Sequence, residues 1–217
     1  MIENSTDHYP FSKQEIVSAF ESAIHTFFER DSFLIKNQVS ERAQVHCIAN
    51  YFESEIQKTE TYRGLTERKK KDLRVDVEYN RYEIGSKASK ELQDVCVQCY
   101  EANGHDFVNE CKQSKELHKL RDLGYWGAIL IDMVFHVRGI QDANIFCLEV
   151  KPYGTKRPLE CDQFRVKQLI QGENSANRKP CYRYGVSMNF DSDHSAQYHL
   201  YYLQDGNLQE EEKSITR

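Results

Sequence analysis

The run NIFCLEVKPYG, Asn144 to Gly154, decides the reading of the fold. Strand alternation sets Ile145, Cys147, Glu149 and Lys151 on one face and Phe146, Leu148 and Val150 on the other. Both faces begin apolar, so both need cover. A strand of that kind belongs inside a sheet with helices on either side. The anomaly is its end, where a carboxylate and an amine share a face on either side of Val150.

Working back along the chain, AILIDMVFHV is a second strand with apolar residues on both faces, interrupted by Asp132. An ionised carboxylate in such a strand costs several kcal/mol unless something compensates it, on the order of the penalty for any buried ion. The loop RGIQDA between the two strands is short, so a hairpin is expected, with Asp132 beside Glu149. Two adjacent carboxylates repel each other, and a divalent cation relieves the repulsion. Oxygen ligands alone suit Mg²⁺, with Mn²⁺ as a substitute, and the Val150 carbonyl offers one more oxygen. Lys151 beside such a cation would orient a water and stabilise charge developing on phosphorus. The competing interpretation is a structural ion cluster of Lys151 with Glu149 and Asp132.

The remaining segments supply the cover. FSKQEIVSAFESAIHTFFER carries Ile16, Phe20, Ile24 and Phe27 on one helical face, with Ser12 and Glu15 as a capping box. SERAQVHCIANYFESEIQ is a second helix, with Ser40 as N-cap, Glu41 in its first turn, and Val45, Ile48, Ala49 and Phe52 as its stripe. LRVDVEYNRY alternates as a half-exposed strand. Residues 83–122 are polar and read as a helical insertion. PLECDQFRVKQLIQG is a helix with Pro158 near its start and Gly172 past its end, followed by the strands CYRYGVSMNF and AQYHLYYLQ. Residues 209–217 read as a flexible tail. The expected fold is one α/β domain over 1–217, a mixed central sheet flanked by helices.

Composition narrows the function classes. The net charge of -5 over 217 residues gives no global support to a purely electrostatic nucleic-acid binder. The basic run Arg68–Lys71 reads as a solvated loop, though local patches of that kind bind phosphate. No apolar signal segment follows Met1 and no stretch is long enough to span a membrane, so a cytoplasmic protein with reduced thiols is expected. Cys96 and Cys99 have metal-ligand spacing, but the second pair a zinc site needs is ragged among His105, Cys111 and His118, so zinc is not expected. Trp126 and the run YHLYYL are read as packing residues rather than base-stacking ones.

The stretch ILIDMVFHVRGIQDANIFCLEVKPYG resembles the PD-(D/E)XK nuclease superfamily, and more particularly its bacterial and phage members. SERAQVHCIANYFESEI resembles the first core helix, VDVEYNR the first strand, and YRYGVSMNF the later strand. The resemblance implies a restriction-endonuclease-like core of helix, three strands, helix and strand, here with an added N-terminal helix. It also implies DNA as substrate, with Asp132, Glu149, the Val150 carbonyl and Glu41 around Mg²⁺ and Lys151 supporting the attacking water. Gln163 and Arg165, on the helix after the site, become candidates for phosphate contact. One departure is Ile131, where the family usually has Pro. The alternative function is an inactive nuclease-fold binding module in a phage or defence assembly, and either role is compatible with a homodimer or a partner protein.

Overall fold

The structure, a computed structural model, describes residues 9–79, 131–138, 143–154, 159–171 and 182–217. The expected insertion at 83–122, with its cysteines and histidines, and Trp126 lie outside the described residues.

Helix α1 (Lys13–Arg30) opens on the expected capping box, with Ser12 and Glu15 satisfying each other's backbone N–H groups. Helix α2 (Phe33–Lys36) is a single turn leading to α3 (Glu41–Ile56), whose N-cap is Ser40. Two short helices follow, α4 (Glu60–Gly64) and α5 (Glu67–Asp72), capped by Thr59 and Thr66. The basic run Arg68–Lys71 is therefore helical rather than a loop. The Thr66 hydroxyl accepts from the Lys69 N–H, and this cap is what nucleates α5.

Six strands form one sheet: β1 (Leu73–Tyr79), β2 (Ile131–Val137), β3 (Asn144–Lys151), β4 (Tyr182–Ser192), β5 (Ser195–Gln204) and β6 (Asn207–Thr216). They lie in sequence order, and every pairing is antiparallel except β3 with β4. That pair is parallel because helix α6 (Leu159–Gln171) carries the chain back to the starting edge. The result is a mixed six-stranded sheet flanked by helices.

The C-terminal residues expected to be a flexible tail are instead β6, paired along its whole length with β5. Asp205 and Gly206, both at positive φ, make the two-residue turn between Gln204 and Asn207. A second correction concerns Ile145. The pairing of β2 with β3 slips between Phe135 and His136, so Ile145 is skipped and joins the core of Phe146 and Leu148 rather than that of Cys147.

The sheet has two unequal sides. Helices α1 and α3 cover one with a large aromatic core, in which Phe20, Phe52, Phe135, Phe146 and Tyr198 meet. Helix α6 covers the other through Val166, Leu169 and Ile170 against Val134, Cys147 and Tyr201. Gly185 on β4 permits this close approach, since a Cβ there would stand 2.5 Å from Val166 Cγ1. Among the described residues no helix is long and apolar enough to cross a membrane, and Cys47 and Cys147 are free thiols.

Candidate functional site

The hairpin of β2 and β3 brings Asp132 level with Glu149, because Met133 pairs with Leu148 one step earlier. Asp132 Oδ2 accepts the Val150 N–H at 2.7 Å, which ties the carboxylate to the end of the ladder. Val150 itself packs its side chain into the larger core, as alternation requires. Glu149 is only 3% exposed, on the side covered by α6. Its Oε2 lies 3.5 Å from Arg165 Nη2, while its Oε1 is buried with no hydrogen-bond partner among the described residues.

Helix α6 completes the cluster. Asp162 and Arg165 stand three residues apart, hence on one helical face. Asp162 is 3% exposed and pairs through Oδ2 with the Lys151 ammonium and through Oδ1 with the Arg165 guanidinium. The charges therefore run Lys151, Asp162, Arg165, Glu149 and then Asp132. The competing ion cluster, Lys151 directly on Glu149 and Asp132, is not the arrangement observed, because Asp162 and Arg165 of α6 stand between them.

Burial pushes the Asp132 carboxyl up to about 6, with Glu41 and Asp162 adding to the rise and the Val150 N–H and Arg165 opposing it. Burial pushes Glu149 well above the usual carboxylate range, and the neighbouring charges of Asp132 and Asp162 act in the same direction against Arg165. Two adjacent carboxylates whose ionisation the fold disfavours mark a candidate place for a cation. Fully ionised, Asp132, Glu149 and Asp162 would carry three negative charges against two positive ones on Lys151 and Arg165, a net of -1. Glu41, in the exposed first turn of α3, is near enough to act on Asp132 and makes it -2.

Among the described residues no group of three or more His, Cys, Asp or Glu side chains is set to hold a metal ion. The available donors are thus a carboxylate pair and main-chain oxygen. That set still fits Mg²⁺, which keeps much of its water and takes one or two carboxylates from a protein. The unpartnered Glu149 Oε1 is the atom that most needs such a partner.

Of the residues singled out in the sequence, Asp132, Glu149, Lys151 and Arg165 come together, and Glu41 approaches. Gln163 makes no ion pair there; it is half-buried on α6. His136 is buried and bonds Asp76 at 2.8 Å, alongside Arg138 on the same carboxylate, so it serves the β1–β2 pair. Sequence reasoning passed over three neighbours. Asp162 lies on the polar face of its helix with Arg165, a pattern usual for a solvated face, yet it is buried. Ser187 and Asn189 stand in register with Glu149 and Lys151 across the parallel pair, and Asn189 Oδ1 is buried without a hydrogen bond. Their signal was present in YGVSMNF, where Gly185, Ser187 and Asn189 alternate with the core residues Val186, Met188 and Phe190.

No family model, no curated protein and no solved structure matches this chain.

Proposed function

We propose that the chain is a divalent-metal-dependent nuclease of the PD-(D/E)XK kind that hydrolyses phosphodiester bonds of DNA. The observation that carries this is the pairing of half-buried Asp132 with buried Glu149, whose Oε1 has no hydrogen-bond partner among the described residues, followed two residues on by Lys151. The order α3, three antiparallel strands, α6 and a parallel strand supports it, since this is the core order the resemblance implies.

On this reading Asp132, Glu149 and the Val150 carbonyl would hold the cation, with Glu41 adding negative charge from the exposed side. A bound Mg²⁺ supplies Lewis acidity and neutralises phosphate charge. Lys151 donates to the oxygen on which charge builds as water adds to phosphorus. The bond from phosphorus to O3′ breaks, the water's proton reaches O3′ through solvent, and the products carry a 5′-phosphate and a 3′-hydroxyl. Arg165, held beside Glu149, would present its guanidinium to a phosphate oxygen.

The test is a cleavage panel of plasmid, linear duplex, single-stranded DNA and RNA with Mg²⁺ or Mn²⁺. Wild type is expected to cut DNA, and Lys151→Ala to lose about 10²-fold or more. Equal cutting by both proteins contradicts the assignment. A chain that binds DNA with its site intact but never cuts it is the nuclease-fold binding module instead.

A further inference from the structure

Asp132, Glu149 and Lys151 have roles in the proposed function, but the buried Asp162 on the opposing helix has none. We infer that Asp162 is the positioning residue of this site: one buried carboxylate holds Lys151 and Arg165 at once, and so fixes both cations against the Asp132–Glu149 pair. The inference deepens the proposed function and rests on it for the catalytic consequence, though the placement of Lys151 is a claim of its own.

Three observations carry it. Asp162 comes from α6 and Lys151 from the end of β3, so their pair joins the helix to the strand where β3 leaves the sheet. The two oxygens of Asp162 are divided, Oδ2 to Lys151 and Oδ1 to Arg165, which leaves neither cation to choose its own partner. Beyond this pair the backbone leaves regular structure at Pro152, and Tyr153 is half exposed. Lys151 is the final residue of its strand and has a long, flexible stem. Without a fixed anion its ammonium would swing out toward solvent and leave the direction in which it donates undefined. With Asp162 in place, Lys151 is held beside the carboxylate pair rather than on it. A structural ion pair needs only one acid and one base. Here a single acid serves two bases, one of which also reaches Glu149 at 3.5 Å.

The experiment compares wild type with Asp162→Asn, which keeps the shape and removes the charge, and Asp162→Glu, which restores the charge one methylene further out. The first readout needs neither metal nor activity. Metal-free protein is treated with acetic anhydride, and acetylation of each lysine is followed by mass spectrometry, with the exposed Lys58 as internal reference. Lys151 is expected to label severalfold faster in Asp162→Asn than in wild type and to return toward the wild-type rate in Asp162→Glu. The second readout is cleavage of a duplex oligonucleotide with Mn²⁺. Asp162→Asn is expected to lower kcat by about 10- to 100-fold, with KM nearly unchanged and partial recovery in Asp162→Glu.

Lys151 labelling that is the same in all three proteins overturns the inference. So does a full kcat in Asp162→Asn. If wild type does not cut DNA, the nuclease assignment fails, and labelling alone then decides whether Asp162 places Lys151. A fall in melting temperature with unchanged labelling returns Asp162 to a purely structural role and also overturns the inference.

Discussion

The two sides of the sheet are built on opposite principles. Under α1 and α3 the packing is apolar and aromatic, with Phe52 stacked on Phe146 at 5.2 Å and edge-on to Phe135 at 5.8 Å. Under α6 a small apolar cluster sits beside five charged side chains that do not balance. The first side holds the sheet together. The second spends some of that stability on a site, since charges removed from water return little of their desolvation cost without full pairing. On the proposed reading, stability and function fall to different faces of the same strands.

Breaking the aromatic side has the largest expected effect. Phe52→Ala removes a fully buried ring and is expected to lower unfolding free energy by about 3–5 kcal/mol in urea titration. If the loss were under about 1 kcal/mol, the aromatic face would not be the principal stabiliser. Next comes the spacing of the α6 side. Gly185→Ala puts a Cβ against Val166 and is expected to cost about 1–3 kcal/mol through overpacking. The same denaturation experiment measures it.

The third change should run the other way. Asp132 has a folded-state pKa raised from 3.8 to about 6, so the native state resists ionising it. The resulting penalty is absent below about pH 4, grows as pH rises, and is complete above about 6. Metal-free Asp132→Asn is therefore expected to exceed wild type in stability at pH 7 by about 2 kcal/mol, with the gap closing toward pH 4. A variant less stable than wild type at pH 7 would mean that the carboxylate is already satisfied without metal.

The smallest effect lies at the sheet edge. Lys13 and Tyr202 donate to Glu211, and these hydrogen bonds hold its carboxyl down to about 2. A depressed acid stabilises the fold above its unfolded pKa and loses that contribution as pH falls from about 4.5 toward 2. Because the pair is partly exposed, Glu211→Gln is expected to cost no more than about 1 kcal/mol at pH 7. The difference from wild type should vanish near pH 2, as thermal melts across pH would show.

Much of this was legible in the chain. The stripes of α1 and α3, the doubly apolar strands, and the meeting of Asp132 with Glu149 follow from periodicity and one short loop. The C-terminal strand was missed because its Glu-rich run suggested a solvated tail, although Asp205-Gly206 is the dipeptide of a two-residue hairpin turn. Charges at an edge strand are a defence against further pairing, not a sign of disorder. The bulge at Ile145 left no mark in the alternation. Asp162 was illegible for another reason. Helical spacing tells which residues share a face, but only the approach of α6 to β3 decides whether that face meets solvent or a lysine.

The central proposal is that the α6 side binds one divalent cation. Calorimetric titration of metal-free protein with Mn²⁺ tests it most directly, with Glu149→Gln and Asp132→Ala as controls. The account predicts saturable binding in wild type, accompanied by a rise in melting temperature, and loss of both in the two variants. No binding in wild type, or equal binding in all three proteins, would contradict it.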